Sequence, residues 1–113
     1  MHEYSVVQAL LTRVEAEARA RGATRVHKLR VQLGELAGVE PALLTTAYEI
    51  FRERTICASA ALEVQPVPAA WACSRCGLRI ARGTSLRCPA CASPARLMQG
   101  DELVLESIEL EVP

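Results

Sequence analysis

The sequence lacks a net charge, a long apolar run and the marks of a secretory leader. Its 13 lysines and arginines balance 13 acids, so the chain as a whole is not a polycation of the kind that binds nucleic acid. No apolar run approaches the roughly 20 residues that span a bilayer, and the N-terminus does not have the composition of a signal peptide. We therefore expect a cytoplasmic protein without a membrane segment, in which paired cysteines indicate a metal site more often than a disulfide.

Acids are also absent locally, from residue 66 to residue 100. The same stretch begins with the prolines at 66 and 68, and it contains five arginines and four of the five cysteines of the chain. Such a change in composition marks a module boundary. We predict one α+β domain formed by residues 1–67 and 98–113, and a zinc-ribbon domain of residues 68–97 inserted between two of its strands.

The first 34 residues predict a helix followed by a strand. Ser5 and Gln8 fit a capping box, and an apolar stripe at helical spacing follows, made of Val7, Leu10, Leu11, Val14 and Ala18. We predict a helix from about Val6 to Arg21, ended by Gly22, with Met1, His2 and Glu3 protruding ahead of it. The next apolar residues alternate as in a half-buried strand, which places His27 on the apolar face with Leu29, Val31 and Leu33.

A second helix and two further strands complete the predicted domain. Pro41 suits the first turn of a helix, and the expected apolar stripe is Leu43, Leu44, Ala47, Ile50 and Phe51. Leu62 and Val64 mark a short strand. The last strand changes its apolar phase around residues 106 and 107, which predicts a bulge or a bend. The fold class is therefore α+β, with two helices, a three-stranded sheet and an inserted zinc ribbon.

Four cysteines have the spacing of a structural zinc site. Two C-x-x-C pairs, Cys73 with Cys76 and Cys88 with Cys91, are separated by 11 residues, and each pair can form a knuckle that aims two thiolates at one ion. Four thiolates close the coordination shell, which favours structural Zn(II) over a catalytic metal. A redox dithiol and an iron–sulfur cluster are the weaker alternatives. Cys57 lies in an apolar stretch and is interpreted as a buried thiol.

The first three residues can form a metal chelate. The α-amine and the His2 amide nitrogen close a five-membered ring on a metal, and the His2 amide and its own Nδ1 close a six-membered ring. Nitrogen donors in a plane favour Ni(II) or Cu(II) over zinc. By itself the pattern leaves a second interpretation open, in which His2 is a solvated terminal residue.

The motifs together resemble the HypA/HybF family of nickel metallochaperones. The shared features are the opening MHEYSVV, the V-x-L-G-E-L segment, the two C-x-x-C pairs and the closing GDEL-x-x-x-SIE-x-E, in this order along essentially the whole chain. The resemblance implies a carrier and not an enzyme, with nickel at Met1, His2 and Glu3 and zinc at Cys73, Cys76, Cys88 and Cys91.

The resemblance also implies partners. Similar proteins deliver nickel to the large subunit of [NiFe]-hydrogenase, and some also serve urease. The expected partners are therefore the GTPase HypB, the hydrogenase large-subunit precursor and urease accessory proteins, with the chain itself a monomer or a homodimer.

Two points separate this chain from a simple transfer of the family pattern. Some family members have histidines near the zinc knuckles, and this ribbon has none, so Glu40 after the GELAG loop is a candidate additional nickel ligand. Its place before Pro41 also suits a helix-start residue.

The alternative function is a zinc ribbon that binds nucleic acid through its arginines. Its single aromatic residue, Trp71, and the negative charge of four thiolates on Zn(II) argue against that function.

Overall fold

The computed structural model describes residues 3–83 and 85–113, which form two helices and two three-stranded sheets. Helix α1 (Glu3–Ala20), strand β1 (Arg25–Gly34), helix α2 (Pro41–Phe51) and strand β2 (Ala61–Val67) come first. Strands β3 (Ala70–Cys73), β4 (Arg79–Ile80) and β5 (Ala95–Gln99) form the inserted ribbon, and β6 (Leu103–Glu111) returns to the first sheet. The predicted α+β class and element order are confirmed.

Helix α1 buries the predicted stripe but begins earlier than predicted. The buried residues are Val7, Leu10, Leu11, Val14 and Ala18, each contributing roughly 1.5–3 kcal/mol if it is a large aliphatic side chain. The helix begins at Glu3, so Ser5 lies inside it and the predicted capping box is wrong. At the other end Gly22 adopts φ +66°. The Ala23 amide donates to the Ala18 carbonyl at 2.9 Å, which is the Schellman arrangement.

The first sheet has the order β2-β1-β6, with β1 in the centre. Strand β1 pairs in parallel with β2 and antiparallel with β6. The helices cover one face of this sheet, where Val26, Leu29, Val31 and Leu33 of β1 join the core. The parallel pair requires a crossover, which α2 provides.

Two bulges shift the pairing of β1 with β6. Opposite Arg30 and Val31 the partners are Ser107 and Leu105, so Glu106 is the extra residue, and the bulge predicted there is confirmed. The second bulge lies at His27, between the paired residues Val26 and Lys28. It turns His27 away from the core, so the predicted apolar position of His27 is wrong: its side chain is exposed, and Val26 takes the inward position.

Helix α2 buries only part of the predicted stripe. Its buried residues are Leu44, Ala47 and Tyr48, whereas Leu43 and Ile50 are exposed. Tyr48 can be buried because its hydroxyl donates to the Ala60 carbonyl at 2.9 Å, which satisfies the polar end of the ring. The buried face is therefore rotated toward Tyr48.

The ribbon has its own small core. Strand β3 lies between β4 and β5, and Cys73, Ile80 and Cys88 form a cluster against which Trp71 and Ala95 pack. Strand β5 continues to Gln99, so it crosses the boundary predicted after residue 97. In residues 3–83 and 85–113 no helix is both long and apolar enough to span a bilayer.

Candidate metal centre

The first knuckle is built at the end of β3. The Cys73 carbonyl accepts from the Gly77 amide at 3.1 Å, and the Cys73 amide donates to the Leu78 carbonyl at 2.8 Å. Gly77 has φ +78°, the conformation that a glycine adopts without steric penalty. The turn is therefore closed by backbone hydrogen bonds, and Gly77 supplies the positive φ that it needs.

The second knuckle has the same hydrogen bonds without a glycine. The Ala92 amide donates to the Cys88 carbonyl at 2.8 Å, and the Cys88 amide donates to the Ser93 carbonyl at 2.9 Å. Ala92 has φ +61°, which is unfavourable for a residue with a Cβ. Such a conformation persists where the surroundings determine it, and here it places Cys91 toward the first knuckle.

The four sulfurs have the separations of a tetrahedral thiolate site. All four Sγ atoms lie within 4.8 Å of one another, with 3.5 Å between Cys73 and Cys91 and 3.6 Å between Cys76 and Cys88. A tetrahedron with Zn–S bonds of about 2.3 Å has sulfur–sulfur edges of about 3.8 Å. The predicted set of four cysteines is thus brought together, and its geometry fits one metal ion such as zinc.

Backbone amides stabilise negative charge on the sulfurs. The amides of Cys76 and Arg75 both donate to Cys73 Sγ at 3.3 Å, and these hydrogen bonds lower the pKa of Cys73 to about 6. The backbone amide of Leu78 also favours the Cys76 thiolate, but the sulfurs of Cys73 and Cys88 raise the pKa of Cys76 to about 11. Adjacent sulfurs resist simultaneous ionisation, and a divalent cation removes that resistance.

Of the predicted nickel ligands, the structure describes Glu3 and Glu40. Met1 and His2 fall outside the described residues. Glu3 is the first residue of α1 and is half-buried. Glu40 caps α2: its Oε1 accepts from the Ala42 amide at 3.5 Å, the helix-start role that its position before Pro41 suggests. A nickel role for Glu40 stays a prediction.

Among the described residues, His27 is the one histidine, and it has a carboxylate partner. Its Nε2 lies 2.9 Å from Glu111 Oε1 at the far end of the β1–β6 pair. Both side chains are about half exposed. The structure therefore places His27 at the sheet surface and not in the zinc ribbon.

Glu35 is an interaction site that the sequence reasoning did not identify. Its carboxylate pairs with Arg82 of the ribbon and accepts from the Ala69 amide. Glu35 is the only acid of the V-x-L-G-E-L segment, and this was the one sign in the sequence that pointed to it. Its partners could not be predicted because they lie 34 and 47 residues away in sequence.

The ribbon arginines have different surroundings. Arg82 pairs with Glu35, and Arg87 donates to the Ala92 carbonyl at 3.0 Å. Trp71 is partly buried and packs against the ribbon core.

Sequence comparison identifies one family. The family described as "Hydrogenase/urease nickel incorporation, metallochaperone, hypA" matches residues 1–110. Proteins named hydrogenase maturation factor HypA are similar over nearly the whole chain. The one from Shewanella oneidensis is 41% identical, with 98% of this chain and 96% of that protein covered. The one from Aquifex aeolicus is 39% identical, with 99% of each covered.

Solved structures agree with the sequence comparison. The solution structure of the Ni metallochaperone HypA from Helicobacter pylori matches with a TM-score of 0.79 and 29% identity, covering 100% of both chains. A second solution structure, of a HypA protein, matches with a TM-score of 0.82 and 29% identity, covering 100% of this chain and 98% of that one.

Proposed function

The chain belongs to the HypA family of hydrogenase-maturation nickel metallochaperones, and we propose that it binds Ni(II) through Met1, His2 and Glu3 and delivers it to the [NiFe]-hydrogenase large-subunit precursor. The observation that carries this proposal is the family match from residue 1 to residue 110, which includes the MHE terminus. Service to urease, with urease accessory proteins as partners, is the second delivery role proposed. The protein acts as a carrier and not as an enzyme.

The start of α1 supports the proposed chelate. Glu3 is the first residue of α1 that the structure describes, and its carboxylate lies in the first turn of the helix. The positive end of the helix dipole disfavours a cation. Coordination by the deprotonated His2 amide and the Glu3 carboxylate, together with the α-amine and the imidazole, makes the Ni(II) complex formally neutral and avoids that penalty. Glu40 is retained as a weaker candidate, because its carboxylate already caps α2.

The four-cysteine centre is proposed to hold Zn(II) permanently. Cys73, Cys76, Cys88 and Cys91 fit four-thiolate coordination, and a shell of four protein ligands leaves no position for a substrate. Nickel is the cargo and zinc the resident ion, since planar nitrogen donors suit Ni(II) and tetrahedral sulfur donors suit Zn(II).

Extension of the N-terminus tests the proposed nickel site. One or two residues added ahead of Met1 remove the free α-amine from the chelate, so Ni(II) binding measured by isothermal titration should be lost or greatly weakened. The His2→Ala variant should behave in the same way. His27→Ala is the matched control, because it removes the other histidine and should leave the affinity unchanged. Undiminished nickel affinity in the extended protein would disprove the chelate.

The proposed partners are tested by capture with the zinc-loaded protein as bait. The GTPase HypB and the hydrogenase large-subunit precursor should be recovered from an extract of hydrogenase-producing cells. Recovery of neither partner would contradict the delivery role without affecting the result of the nickel titration.

A further inference from the structure

Three chain segments cross where the ribbon meets the first sheet, and we call this crossing the joint (residues 34–36, 67–69 and 99–102). Backbone hydrogen bonds connect the segments: Gly34 donates to the Glu102 carbonyl at 2.8 Å, and Leu36 donates to the Gly100 carbonyl at 2.6 Å. The segments are in close contact. A Cβ on Gly100 would lie 2.6 Å from Ala69 Cα, and a Cβ on Gly34 would overlap the Gly100 carbonyl.

The backbone contacts of the joint lie close to the two strands that carry the ribbon. The chain enters the ribbon after Pro68 and leaves it at Gly100, so these two points define an axis about which the ribbon could bend. Hydrogen bonds near that axis resist separation of the ribbon from the sheet but resist rotation much less. A contact from a part of the ribbon other than these two strands is needed to fix the angle.

Glu35 provides such a contact. Its Oε2 accepts from Arg82 Nη1 at 3.0 Å, and its Oε1 accepts from the Ala69 amide at 2.9 Å and also from Arg82 Nη2. Arg82 follows β4, which is the second ribbon strand along the chain and an edge strand of the ribbon sheet. Its Nη2 also lies 3.3 Å from the Ala69 carbonyl. The two-pronged pairing of a guanidinium with a carboxylate constrains direction as well as distance.

We propose that Glu35 is a positioning residue that locks the zinc ribbon at one angle to the nickel domain by bridging Arg82 and the Ala69 amide. The carboxylate is ionised under ordinary conditions, because Arg82 and the Ala69 amide hold the pKa of Glu35 below its usual value. Loss of either side chain leaves the backbone bonds of the joint in place and frees the rotation that they allow.

The locked angle determines what lies beside the start of α1. Val6 of α1 and Leu103 of β6 line the same depression, and Leu103 pairs with Leu33, the residue that precedes the joint. The first turns of α1 therefore lie at the end of the sheet that carries the joint. Any effect of the ribbon angle on nickel binding rests on the proposed function. The lock between Glu35 and Arg82 does not rest on it.

Nuclear magnetic relaxation of the zinc-loaded, nickel-free full chain tests the lock. Nitrogen-15 relaxation rates give a rotational correlation time for the ribbon and another for the nickel domain. In the wild type the two times should agree, as in one rigid body. In Glu35→Ala and in Arg82→Ala the ribbon should have the shorter time. The double variant should differ little from either single variant, since both remove one interaction.

Matched controls exist in the same segments. Glu40→Ala removes an acid of the same loop, and Arg79→Ala removes an arginine three residues from Arg82; both should keep a single correlation time. Zinc content, measured in every variant, shows whether the ribbon is still folded. If Glu35→Ala loses zinc, Arg82→Ala in the exposed turn supplies the decisive measurement.

Hydrogen exchange of the Ala69 amide separates a lock from a general loosening. Glu35→Ala removes its acceptor, so exchange should rise about fivefold, the ratio expected for one net hydrogen bond. Arg82→Ala keeps the acceptor and should raise exchange less. Equal correlation times in the two parts of both variants, or unequal times already in the wild type, would overturn the proposal.

Discussion

Cys57 and Cys73 are both buried, but their surroundings give them different chemistry. Desolvation raises the pKa of Cys57, which lies near Tyr48 in the core between the helices and the first sheet. Amide hydrogen bonds from Cys76 and Arg75 lower the pKa of Cys73 to about 6. Cys57 therefore stays a neutral thiol, whereas Cys73 is prepared to bind a metal as a thiolate.

Serine substitution should separate these two roles. Cys73→Ser removes one ligand of four, so the protein should lose its zinc and the ribbon should unfold, because the metal supplies much of the folding free energy of so small a core. Cys57→Ser should keep the zinc but destabilise the α+β domain by about 1–3 kcal/mol, since it buries a hydroxyl. Elemental analysis and urea unfolding measure the two effects. Equal zinc loss in both variants would contradict the assignment.

At the scale of the element, the outer face of the first sheet is held by charges across the strands. Glu63 of β2 contacts two side chains of β1, Lys28 at 2.6 Å and Arg30 at 2.7 Å. Arg30 Nε also lies 3.9 Å from Glu106 of β6. These contacts lower the pKa of Glu63, and the contact with Lys28 has the larger effect. These pairs connect all three strands of the sheet.

This cluster predicts a dependence of stability on pH. A carboxyl group whose pKa is lower in the folded state stabilises the fold above its unfolded pKa of about 4.3. The contribution disappears as the pH falls through the folded value. The difference in urea midpoint between wild type and Glu63→Gln should therefore be present at pH 7 and shrink below pH of about 4. Glu49→Gln, at an exposed position of α2, is the control. A difference that persists unchanged in acid would rule out the ion pairs as its cause.

Strand β1 also shows where reasoning about a single element fails. Its alternating pattern correctly predicted a half-buried strand with Leu29, Val31 and Leu33 inside. It could not show that His27 occupies a bulge, because a bulge is a property of the pairing with β6. In β6 the change of phase at Glu106 was visible, since apolar residues on both sides of it mark the inward face.

On the scale of the whole molecule, two separate cores share one joint. The structure is 56 Å long and 27 Å across, with one core between α1, α2 and the first sheet and the other around the cysteines. The arrangement of the two cores depends on the joint between them. In the joint, Gly34, Ala69 and Gly100 approach closely.

Two glycine variants should measure the importance of that approach. Gly100→Ala introduces a Cβ 2.6 Å from Ala69 Cα at φ +101°, whereas Gly38→Ala introduces one into open space at φ +76°. Both substitutions place alanine at positive φ, so their difference isolates the steric overlap. Gly100→Ala should lower the free energy of unfolding by about 1–3 kcal/mol more than Gly38→Ala. Urea unfolding of the α+β domain is the measurement. Equal losses of unfolding free energy in the two variants would mean that the backbone at the joint shifts to accommodate the added Cβ.

The sequence by itself determined the features that depend on local spacing. The α1 stripe, the bulge at Glu106, the two cysteine pairs and the α+β order follow from periodicity and from the reach of a short knuckle, and the structure has all of them. Only the tertiary structure decided which face of α2 is buried, that His27 points to solvent and that Glu35 meets Arg82. Each of these depends on contacts between residues distant in sequence, here up to 84 positions apart, which no local pattern encodes. Tyr48 can face the core because its hydroxyl donates to the Ala60 carbonyl. Glu35 contacts the ribbon because the chain segments at Gly34 and Gly100 are in close contact.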